Sequence, residues 1–365
     1  MNKASMMDNF NQINTLGLDR DELFEIALRA ENSREFSNSI KNNITVGMSS
    51  GTSGRRGLFV ISKEEQAQWA GYIIGRLMPS ILKPQRISLL LRANSNLYQS
   101  VGCGHLKFQY TDLCEPVDRW LAKLEMYKPS IIVGSAQALL VACREGRALS
   151  PELVISGAEV LTPEDKRELS ERFGCQVKEV YQCTEGFLAS THRDGSMSWN
   201  EDFVHIEKHW VNKERTHFQP IVTDFRRRSQ PVIRYLMDDI IVPSNNGGVF
   251  DGIEKIVGRS GDILEIDNVK VLPDLIYNAI SKSIGSNINY KISQVGESQL
   301  KIHSDHSGHL IEKALRSLFK KIGVRSEYSL VFRHECSPGL DLSAKHRRVV
   351  NLYTPGQTQV ACNAA

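Results

Sequence analysis

Hydrophobic and polar positions follow two different periods through the first half of this chain. Asp19–Glu35 and Val117–Tyr127 carry apolar residues at helical spacing. Ile87–Leu91, Ile131–Gly134 and Leu153–Ile155 are short continuous apolar runs, which are typical of strands buried on both faces. Because helix-like and strand-like segments take turns along the chain, the pattern predicts a mainly parallel α/β sheet.

Local start signals support two further helices. Ser62 and Glu65 have the spacing of a capping box, and the box predicts a helix that continues to about Leu82. Thr162 followed by Pro163 combines a hydroxyl cap with a proline in the first turn, so a second helix is predicted to begin there.

The second half changes character. Residues 186–257 are rich in β-branched and turn residues and are predicted to form strands. A small α+β unit follows, with predicted helices at Pro273–Ile284 and Leu310–Ile322 and strands between and after them. The predicted fold is α/β, with a large N-terminal domain of mixed sheets over 1–258, a hinge at 259–262 and a small α+β lid domain over 263–365.

Composition narrows the functional classes. The 365 residues carry a net charge of +3, which gives no basis for nucleic-acid or membrane-surface binding. The seven cysteines are scattered and contain no Cys-x-x-Cys pair, as expected for a protein of the reducing cytoplasm. No apolar run reaches the roughly 18 residues of a membrane-spanning helix.

The most informative segment is Ser49–Gly57, in which glycines and hydroxyl residues precede two arginines. Strand-like sequences flank it, which favours a tight turn over a flexible linker, and backbone N–H groups in such a loop bind polyphosphates well. The segment lacks the spacing of the common P-loop, and no Gly-x-Gly-x-x-Gly opens a helix elsewhere.

Four more segments join this loop in a fixed order: Gly157–Glu159, Tyr181–Gly186, Ile233–Tyr235 with Asp238 and Asp239, and Gly258–Asp262. The five together resemble the adenylate-forming ligase superfamily, and most closely its phenylacetate–CoA ligase-like branch. The resemblance covers nearly the whole chain. Asn200–Phe203 and Pro231–Tyr235 look like that branch in particular.

The resemblance implies an enzyme that uses ATP and magnesium to activate a small carboxylic acid, expected to be aromatic or otherwise compact. The carboxylate would attack the α-phosphate and form an acyl-adenylate. A thiol, from coenzyme A or from the phosphopantetheine of an acyl carrier protein, would then take the acyl group. Neither nucleic acid nor a membrane is an expected partner, and the oligomeric state is open.

The resemblance also implies site residues. The loop around the departing phosphates would comprise Ser49, Ser50, Gly51, Thr52, Ser53 and Gly54. Positions lining the nucleotide and acyl pockets would be Gly157, Ala158, Glu159, Tyr181 (stacking on adenine), Thr184, Asp239 (on the ribose) and Arg259. Glu185 would be the magnesium ligand, and Lys345 would reach the α-phosphate. Lys345, Glu185 and Thr52 are thus the expected catalytic set.

Simpler interpretations of individual residues stay open at this stage. Asp238 and Asp239 are compatible with a solvated turn, Glu185 with a helix cap, and Lys345 with an exposed basic run. We interpret Arg226–Arg228 as a surface turn between strands. His303, His306 and His309, with Asp305, are interpreted as ordinary residues of a turn without helical geometry.

Three departures from the family bear on function. The chain begins where relatives have already completed an N-terminal helical region, so that region is expected to be absent. Val242–Gly248 lacks the cysteines that bind zinc in some relatives, and no zinc is expected there. A glycine that relatives carry near Val269 is missing, which favours adenylation over coenzyme A transfer. The alternatives are a non-catalytic nucleotide-binding remnant, or a polysaccharide or pigment ligase with a non-thiol acceptor.

Overall fold

The structure is a computed structural model that describes residues 1–36, 44–49, 51, 56–80, 82–94, 104–244, 248–285, 288–305, 307–325, 329–336, 342 and 347–353. It divides into two compact units. The first comprises Met1–Ile256 and Leu342–His346, and the second comprises Val257–Asp341 and Arg347–Ala365.

The first unit is built on a large mixed sheet. Its parallel part contains strands β3 (Gln85–Leu91), β4 (Leu106–Asp112), β5 (Ile131–Gly134), β6 (Leu153–Ser156) and β7 (Gln176–Cys183), in the order β7-β6-β5-β3-β4. Helices α4 (Lys63–Leu77), α5 (Val117–Tyr127), α6 (Ala136–Glu145) and α7 (Pro163–Phe173) connect or cover these strands. The predicted parallel α/β region is therefore confirmed.

Strand β7 is also the first strand of the antiparallel part. It pairs with β8 (Gly186–Thr191), and the sheet continues through β9 (Met197–Trp199), β14 (Gly252–Arg259), β13 (Asp239–Ser244), β11 (Phe218–Asp224) and β10 (Val204–Trp210), while β12 (Val232–Leu236) pairs with β11. Within the described residues this makes one twelve-stranded sheet. Strand β7 thus pairs in parallel with β6 along one edge and antiparallel with β8 along the other.

Capping residues explain where the helices begin and end. Ser62 and Glu65 form both bonds of the capping box at the start of α4, and Thr162 accepts from the Asp165 N–H at the start of α7. Helix α4 ends at Leu77, five residues before the predicted Leu82. Met78 precedes a proline, which disfavours the helical backbone conformation at that position.

The core of the parallel part lies between the sheet and helices α5 and α6. Trp120, Leu124, Ile132 and Leu139 are among its fully buried side chains. Helix α5 packs its apolar face on this core and ends at Tyr127, as the sequence predicts. Lys128 then adopts a left-handed conformation before Pro129.

The N-terminal segment packs on the antiparallel part of the sheet. It contains α1 (Lys3–Asp8), α2 (Phe10–Ile13) and α3 (Arg20–Ser33), followed by the antiparallel hairpin of β1 (Thr45–Met48) and β2 (Leu58–Ile61). Met6, Met7 and Phe10 are buried in the same core as Trp199, Phe218 and Tyr235. The predicted phosphate loop is the connection between β1 and β2.

The second unit has its own core. The hairpin β15 (Leu264–Ile266) and β16 (Val269–Val271) precedes helix α8 (Pro273–Ile284), and a sheet follows in the order β19-β18-β17-β20. Its strands are β17 (Tyr290–Gly296), β18 (Gln299–Ser304), β19 (Val331–Cys336) and β20 (Val349–Asn351), with helix α9 (Gly308–Ile322) between β18 and β19. The predicted small α+β region is confirmed, although α9 begins two residues before the predicted Leu310. Among the described helices of both units, none combines the length and the apolar composition that a membrane crossing requires.

Candidate active site

The carboxyl end of β7 carries the first pair of predicted site residues. The Tyr181 hydroxyl donates a hydrogen bond to Asp239 Oδ2 at 2.5 Å. Burial raises the pKa of the Tyr181 phenol, and the neighbouring Asp239 carboxylate raises it further, so the hydroxyl stays a proton donor. The Tyr181 ring packs edge-on against Trp199 at 5.9 Å and is only 8% exposed. Asp239 is thus tied to Tyr181 and is not a purely solvated turn residue.

Glu185 lies in the tight turn between β7 and β8, where Cys183 pairs with Gly186. The helix-cap interpretation of Glu185 is therefore wrong, because two strands meet here and no helix begins. Its carboxylate is buried and accepts hydrogen bonds from the Tyr235 and Thr184 hydroxyls, the latter at 2.8 Å. Burial alone would raise the pKa of Glu185, but these donors and the charge of Lys3 outweigh it and lower the pKa. Glu185 is an ionised carboxylate at neutral pH.

A small cavity opens beside this carboxylate. Gly57, Thr184, Glu185, Tyr235 and Lys3 lie around it. Lys3 comes from helix α1, and its side chain passes so close to Gly57 that an added Cβ there would lie 3.5 Å from Lys3 Cε. The end of the β1–β2 connection, the β7–β8 turn and the first helix therefore meet at one point.

The described part of the phosphate loop is closed at its base. Ser49 N–H donates to the Gly57 carbonyl at 2.8 Å, and Gly57 N–H donates to Ser49 Oγ at 2.7 Å. Gly51 has φ +71°, a conformation that glycine adopts at little cost. Arg56 forms an ion pair with Glu31 of α3. Ser50, Thr52, Ser53 and Gly54 lie outside the described residues.

The segment after β6 lies next to β7 because the two strands are parallel neighbours. An added Cβ at Gly157 would approach Val180 Cγ2 to 2.9 Å, so only glycine fits this contact. Ala158 has φ +66°, which is strained for a residue with a Cβ. Glu159 pairs with Arg92 at 2.6 Å. Three predicted site residues thus adopt a bent backbone at the carboxyl edge of the sheet.

The arginine-rich turn between β11 and β12 differs from the sequence interpretation. It joins two strands as predicted, but two of its guanidinium groups turn inward. Arg226 lies over the Tyr72 ring at 3.9 Å, and Arg227 donates to the Thr184 carbonyl at 3.0 Å. The backbone of this turn is held by Glu65 of α4, which accepts from the Arg228 and Ser229 N–H groups. The predicted turn between strands is confirmed, but Arg226 and Arg227 are not simply exposed charges, because Arg227 supports the β7–β8 turn.

The remaining predicted residues are Arg259 and Lys345. Arg259 is in the second unit, where its N–H donates to Asp262 Oδ2 at 3.3 Å. Asp262 is buried and forms an ion pair with Arg347. Burial lowers the pKa of the Arg347 guanidinium, and the positive charge of Arg259 lowers it further. Lys345 lies outside the described residues.

The residues at the cavity fit a magnesium ion by their chemistry. Mg²⁺ is usually held by one or two carboxylates, with waters and substrate phosphates completing six oxygen ligands. Glu185 supplies an ionised carboxylate and Thr184 a hydroxyl beside it. Both lie next to Gly57, where the predicted phosphate loop ends.

Three residues at this site, Tyr235, Lys3 and Arg227, have roles that the sequence does not predict. Each acts on the β7–β8 turn from a distant part of the chain. Helix α1 carries no sequence signal for such a contact, since a lone lysine in a short polar helix is usually exposed. For Tyr235, the signal was its place in the strand-like Val232–Tyr235.

No protein-family model and no curated protein sequence matches this chain. Solved structures do match its fold. A 2-hydroxyisobutyryl-CoA ligase, in the postadenylation state with R3-HIB-AMP, aligns with a TM-score of 0.60 and 19% identity, over 84% of this chain and 73% of that one. The amide bond synthetase McbA from Marinactinospora thermotolerans aligns with a TM-score of 0.60 and 11% identity, over 82% and 66%. A benzoate CoA ligase from Burkholderia xenovorans LB400 aligns with a TM-score of 0.58 and 13% identity, over 80% and 66%.

The chain therefore has the fold of the adenylate-forming, acyl-CoA ligase-like enzymes. The resemblance and the fold class predicted from the sequence are confirmed at this level.

Proposed function

We propose that this protein is an AMP-forming ligase that activates a carboxylic acid with ATP. The observation that carries the proposal is the β7–β8 turn, where an ionised, buried Glu185 lies beside the base of the Ser49–Gly57 loop. Tyr181, four residues before Glu185, holds Asp239 by a hydrogen bond. Two neighbours of the same fold were solved with acyl-adenylates, R3-HIB-AMP and anthranoyl-AMP.

In the first half-reaction, a carboxylate oxygen of the acid attacks the α-phosphorus of ATP. The bond to the bridging oxygen breaks, pyrophosphate leaves, and acyl-AMP forms. Since acid and ATP are both anions, the site must offset their repulsion. We assign this task to the N–H groups and hydroxyls of Ser49–Gly54, including Thr52, and to the Lys345 ammonium. Glu185 would hold a magnesium ion, which neutralises phosphate charge when it is bound.

The nucleotide would lie against the carboxyl edge of the sheet. We assign the ribose hydroxyls to Asp239, which Tyr181 orients, with Arg259 as its partner. The bent backbone at Gly157–Glu159 would border the adenine and the acyl group. Its φ of +66° at Ala158 is the kind of strain that surrounding structure maintains at functional sites.

In the second half-reaction we propose a thiol as acceptor, from coenzyme A or carrier-protein phosphopantetheine. The thiol sulfur attacks the acyl carbonyl carbon, AMP leaves with the bond electrons, and the thiol proton passes to solvent. An aromatic acid is favoured, because benzoate and anthranilate CoA ligases share the fold.

The test is acid-dependent exchange of labelled pyrophosphate into ATP, with a panel of aryl, hydroxyaryl and short aliphatic acids. We expect exchange with aryl acids. Thioester formation with coenzyme A, followed by mass spectrometry, then tests the acceptor. No exchange with any acid, in folded protein that binds ATP, would instead support the non-catalytic nucleotide-binding alternative.

Two variants test the residue assignments. Glu185→Gln should raise the magnesium concentration needed for half-maximal exchange, whereas Glu179→Gln should not. Glu179 is a matched control because it lies on β7, the strand that leads into the turn of Glu185, and pairs instead with Lys166 on helix α7. Lys345→Ala should abolish exchange and leave ATP binding nearly unchanged. Normal exchange by Lys345→Ala would remove that lysine from the site.

A second candidate function differs only in the acceptor. McbA, which shares the fold, is an amide bond synthetase, and the glycine missing near Val269 favours adenylation over thioester formation. An amine would attack the same acyl carbon and release AMP. Amide formation from a panel of amines, with no thioester from coenzyme A, would support this candidate over the thiol ligase.

A further inference from the structure

A cluster of three side chains in the second unit has no part in the proposed ligase reaction. His309 and Glu312 lie three residues apart at the start of helix α9, on one face of the helix. His334 lies on the neighbouring edge strand β19, opposite Ile302 of β18. One ligand atom of each residue lies within 4.8 Å of the others. We refer to these three residues as the α9–β19 cluster.

The His334 ring makes close contacts with three residues of helix α9. Its Nε2 atom lies 2.9 Å from Glu312 Oε2, and its ring lies 4.9 Å from that of His309. The ring also lies close to Gly308, where an added Cβ would lie 2.1 Å from His334 Nδ1. A Cβ at position 308 would displace the ring, so Gly308 permits this close approach of the imidazole to the helix.

The Glu312 carboxylate is also oriented. Arg316, one turn later on α9, donates to Glu312 Oε1 at 2.8 Å and lies over the Phe332 ring at 4.7 Å. Arg316 thereby holds one carboxylate oxygen and leaves the other facing His334. Partners that orient ligand carboxylates in this way are a regular part of metal sites.

The sequence interpretation of the histidines here needs correction. His303 contacts Glu335 instead, with 3.5 Å between His303 Nδ1 and Glu335 Oε2. His306 lies outside the described residues. His309 is helical, because α9 begins at Gly308, and so it joins Glu312 rather than His303.

We propose that the α9–β19 cluster is a binding site for a zinc ion. Two imidazoles and one carboxylate form a ligand set that zinc accepts, with a fourth position left for water. Zinc bound at 2.0–2.1 Å holds tetrahedral donors roughly 3.3 Å apart, so side-chain rotations that move the atoms by about 1 Å close the site. His309 and His334 are both exposed, which leaves the site open to metal from solvent. The proposal does not depend on the ligase function.

The test uses the full chain, freed of metal by a chelator and titrated with zinc chloride in a calorimeter. We expect one zinc ion per chain to bind with a micromolar or tighter Kd. His309→Asn and His334→Asn should each weaken binding by more than about 100-fold, since loss of outer partners alone costs 10- to 100-fold. Cobalt in place of zinc should give the visible bands of nitrogen and oxygen ligation, without thiolate charge-transfer absorption.

Three further variants make the result specific. Gly308→Ala removes no ligand but displaces His334, so it should weaken zinc binding as the histidine variants do. His303→Asn changes the neighbouring histidine outside the cluster and should leave binding unchanged. Glu185→Gln should also leave it unchanged, which separates this site from the proposed magnesium site. Absence of zinc binding by the wild-type chain, or wild-type affinity in both His309→Asn and His334→Asn, would overturn the proposal. Far-ultraviolet circular dichroism verifies that each variant is folded.

Discussion

Glu65 offers the sharpest test of how the first unit holds its site. It is a buried carboxylate on helix α4, and it accepts from the Ser62 N–H, the Arg228 N–H, and both the N–H and the hydroxyl of Ser229, at 2.5–2.8 Å. Three of these four contacts join α4 to the β11–β12 turn. Since Arg227 in that turn donates a hydrogen bond to the Thr184 carbonyl, Glu65 stabilises the β7–β8 turn indirectly, through Arg227.

The expected loss follows from these contacts. Hydrogen bonds to a charged group contribute about 1.5–3 kcal/mol each to stability, and bonds that share one acceptor are not additive. Glu65→Gln keeps the shape of the side chain but replaces one acceptor oxygen by an NH₂ group, which then faces N–H or O–H donors. We expect the free energy of unfolding of the first unit to fall by about 2–4 kcal/mol.

Urea unfolding followed by tryptophan fluorescence measures this unit by itself. All four tryptophans of the chain, at positions 69, 120, 199 and 210, lie within Met1–Ile256. The matched control is Glu64→Gln, which makes the same change at the adjacent exposed position and should cost less than about 0.5 kcal/mol. Equal stability of the two variants would refute the reasoning.

The pH dependence supplies a second check on Glu65. Burial pushes the pKa of its carboxyl up, but the hydrogen bonds from Ser229, Ser62 and Arg228 outweigh burial, so the pKa lies below the ordinary 4.5. A lowered pKa means that the contribution to stability is present above 4.5 and is lost as the pH falls through the folded pKa. The difference between wild type and Glu65→Gln should therefore shrink in acid, and a difference that grows in acid would contradict the assignment.

Three more substitutions test the site. Tyr235→Phe removes a hydrogen-bond donor from buried Glu185, so the free energy of unfolding of the first unit should fall by about 1.5–3 kcal/mol. Because the pKa of Glu185 rises in this variant, its destabilisation by acid should begin at a higher pH than in wild type. Urea titrations at several pH values measure both effects. Ala158→Gly should raise the free energy of unfolding of the same unit by up to about 1 kcal/mol, because glycine relieves the strain at φ +66°. A lower free energy of unfolding in the urea titration would show that Ala158 is not strained. Lys3→Met removes a cation beside Glu185 that would repel a bound magnesium ion. Half-maximal pyrophosphate exchange should then need about fivefold less magnesium, equivalent to about 1 kcal/mol. An unchanged magnesium requirement would exclude competition between Lys3 and magnesium for Glu185.

Local signals account for what the sequence predicted well. The capping groups Ser62 and Thr162, and the proline that follows Lys128, act within one helical turn, so the elements they define can be predicted without knowledge of the fold. The missed end of α4 at Leu77 is also local, since Pro79 restricts Met78. The overall fold, in contrast, was predicted from the order of the five motif segments, which resembles that of a known family, and not from local physical signals.

Contacts between distant residues account for what was missed. The Tyr235 hydroxyl reaches Glu185 only after β12 has paired with β11 and β7 with β8. Arg226 and Arg227 looked like exposed charges because nothing near them in sequence shows that Tyr72 and the Thr184 carbonyl lie beneath them. The cluster of His309 and Glu312 with His334 was missed because His334 lies on β19, and nothing near it in sequence shows that it contacts α9.

The double role of strand β7 has a consequence for protein engineering. Its parallel neighbour β6 leads into Gly157–Glu159, while its antiparallel neighbour β8 closes the turn that holds Glu185. A segment exchanged with a homologue on the β6 side would leave the pairing of β7 with β8 intact. Under the proposed function, the Gly157–Glu159 border of the acyl pocket can then be exchanged without disturbing the turn that holds Glu185, with the crossover placed in α7, before β7 begins.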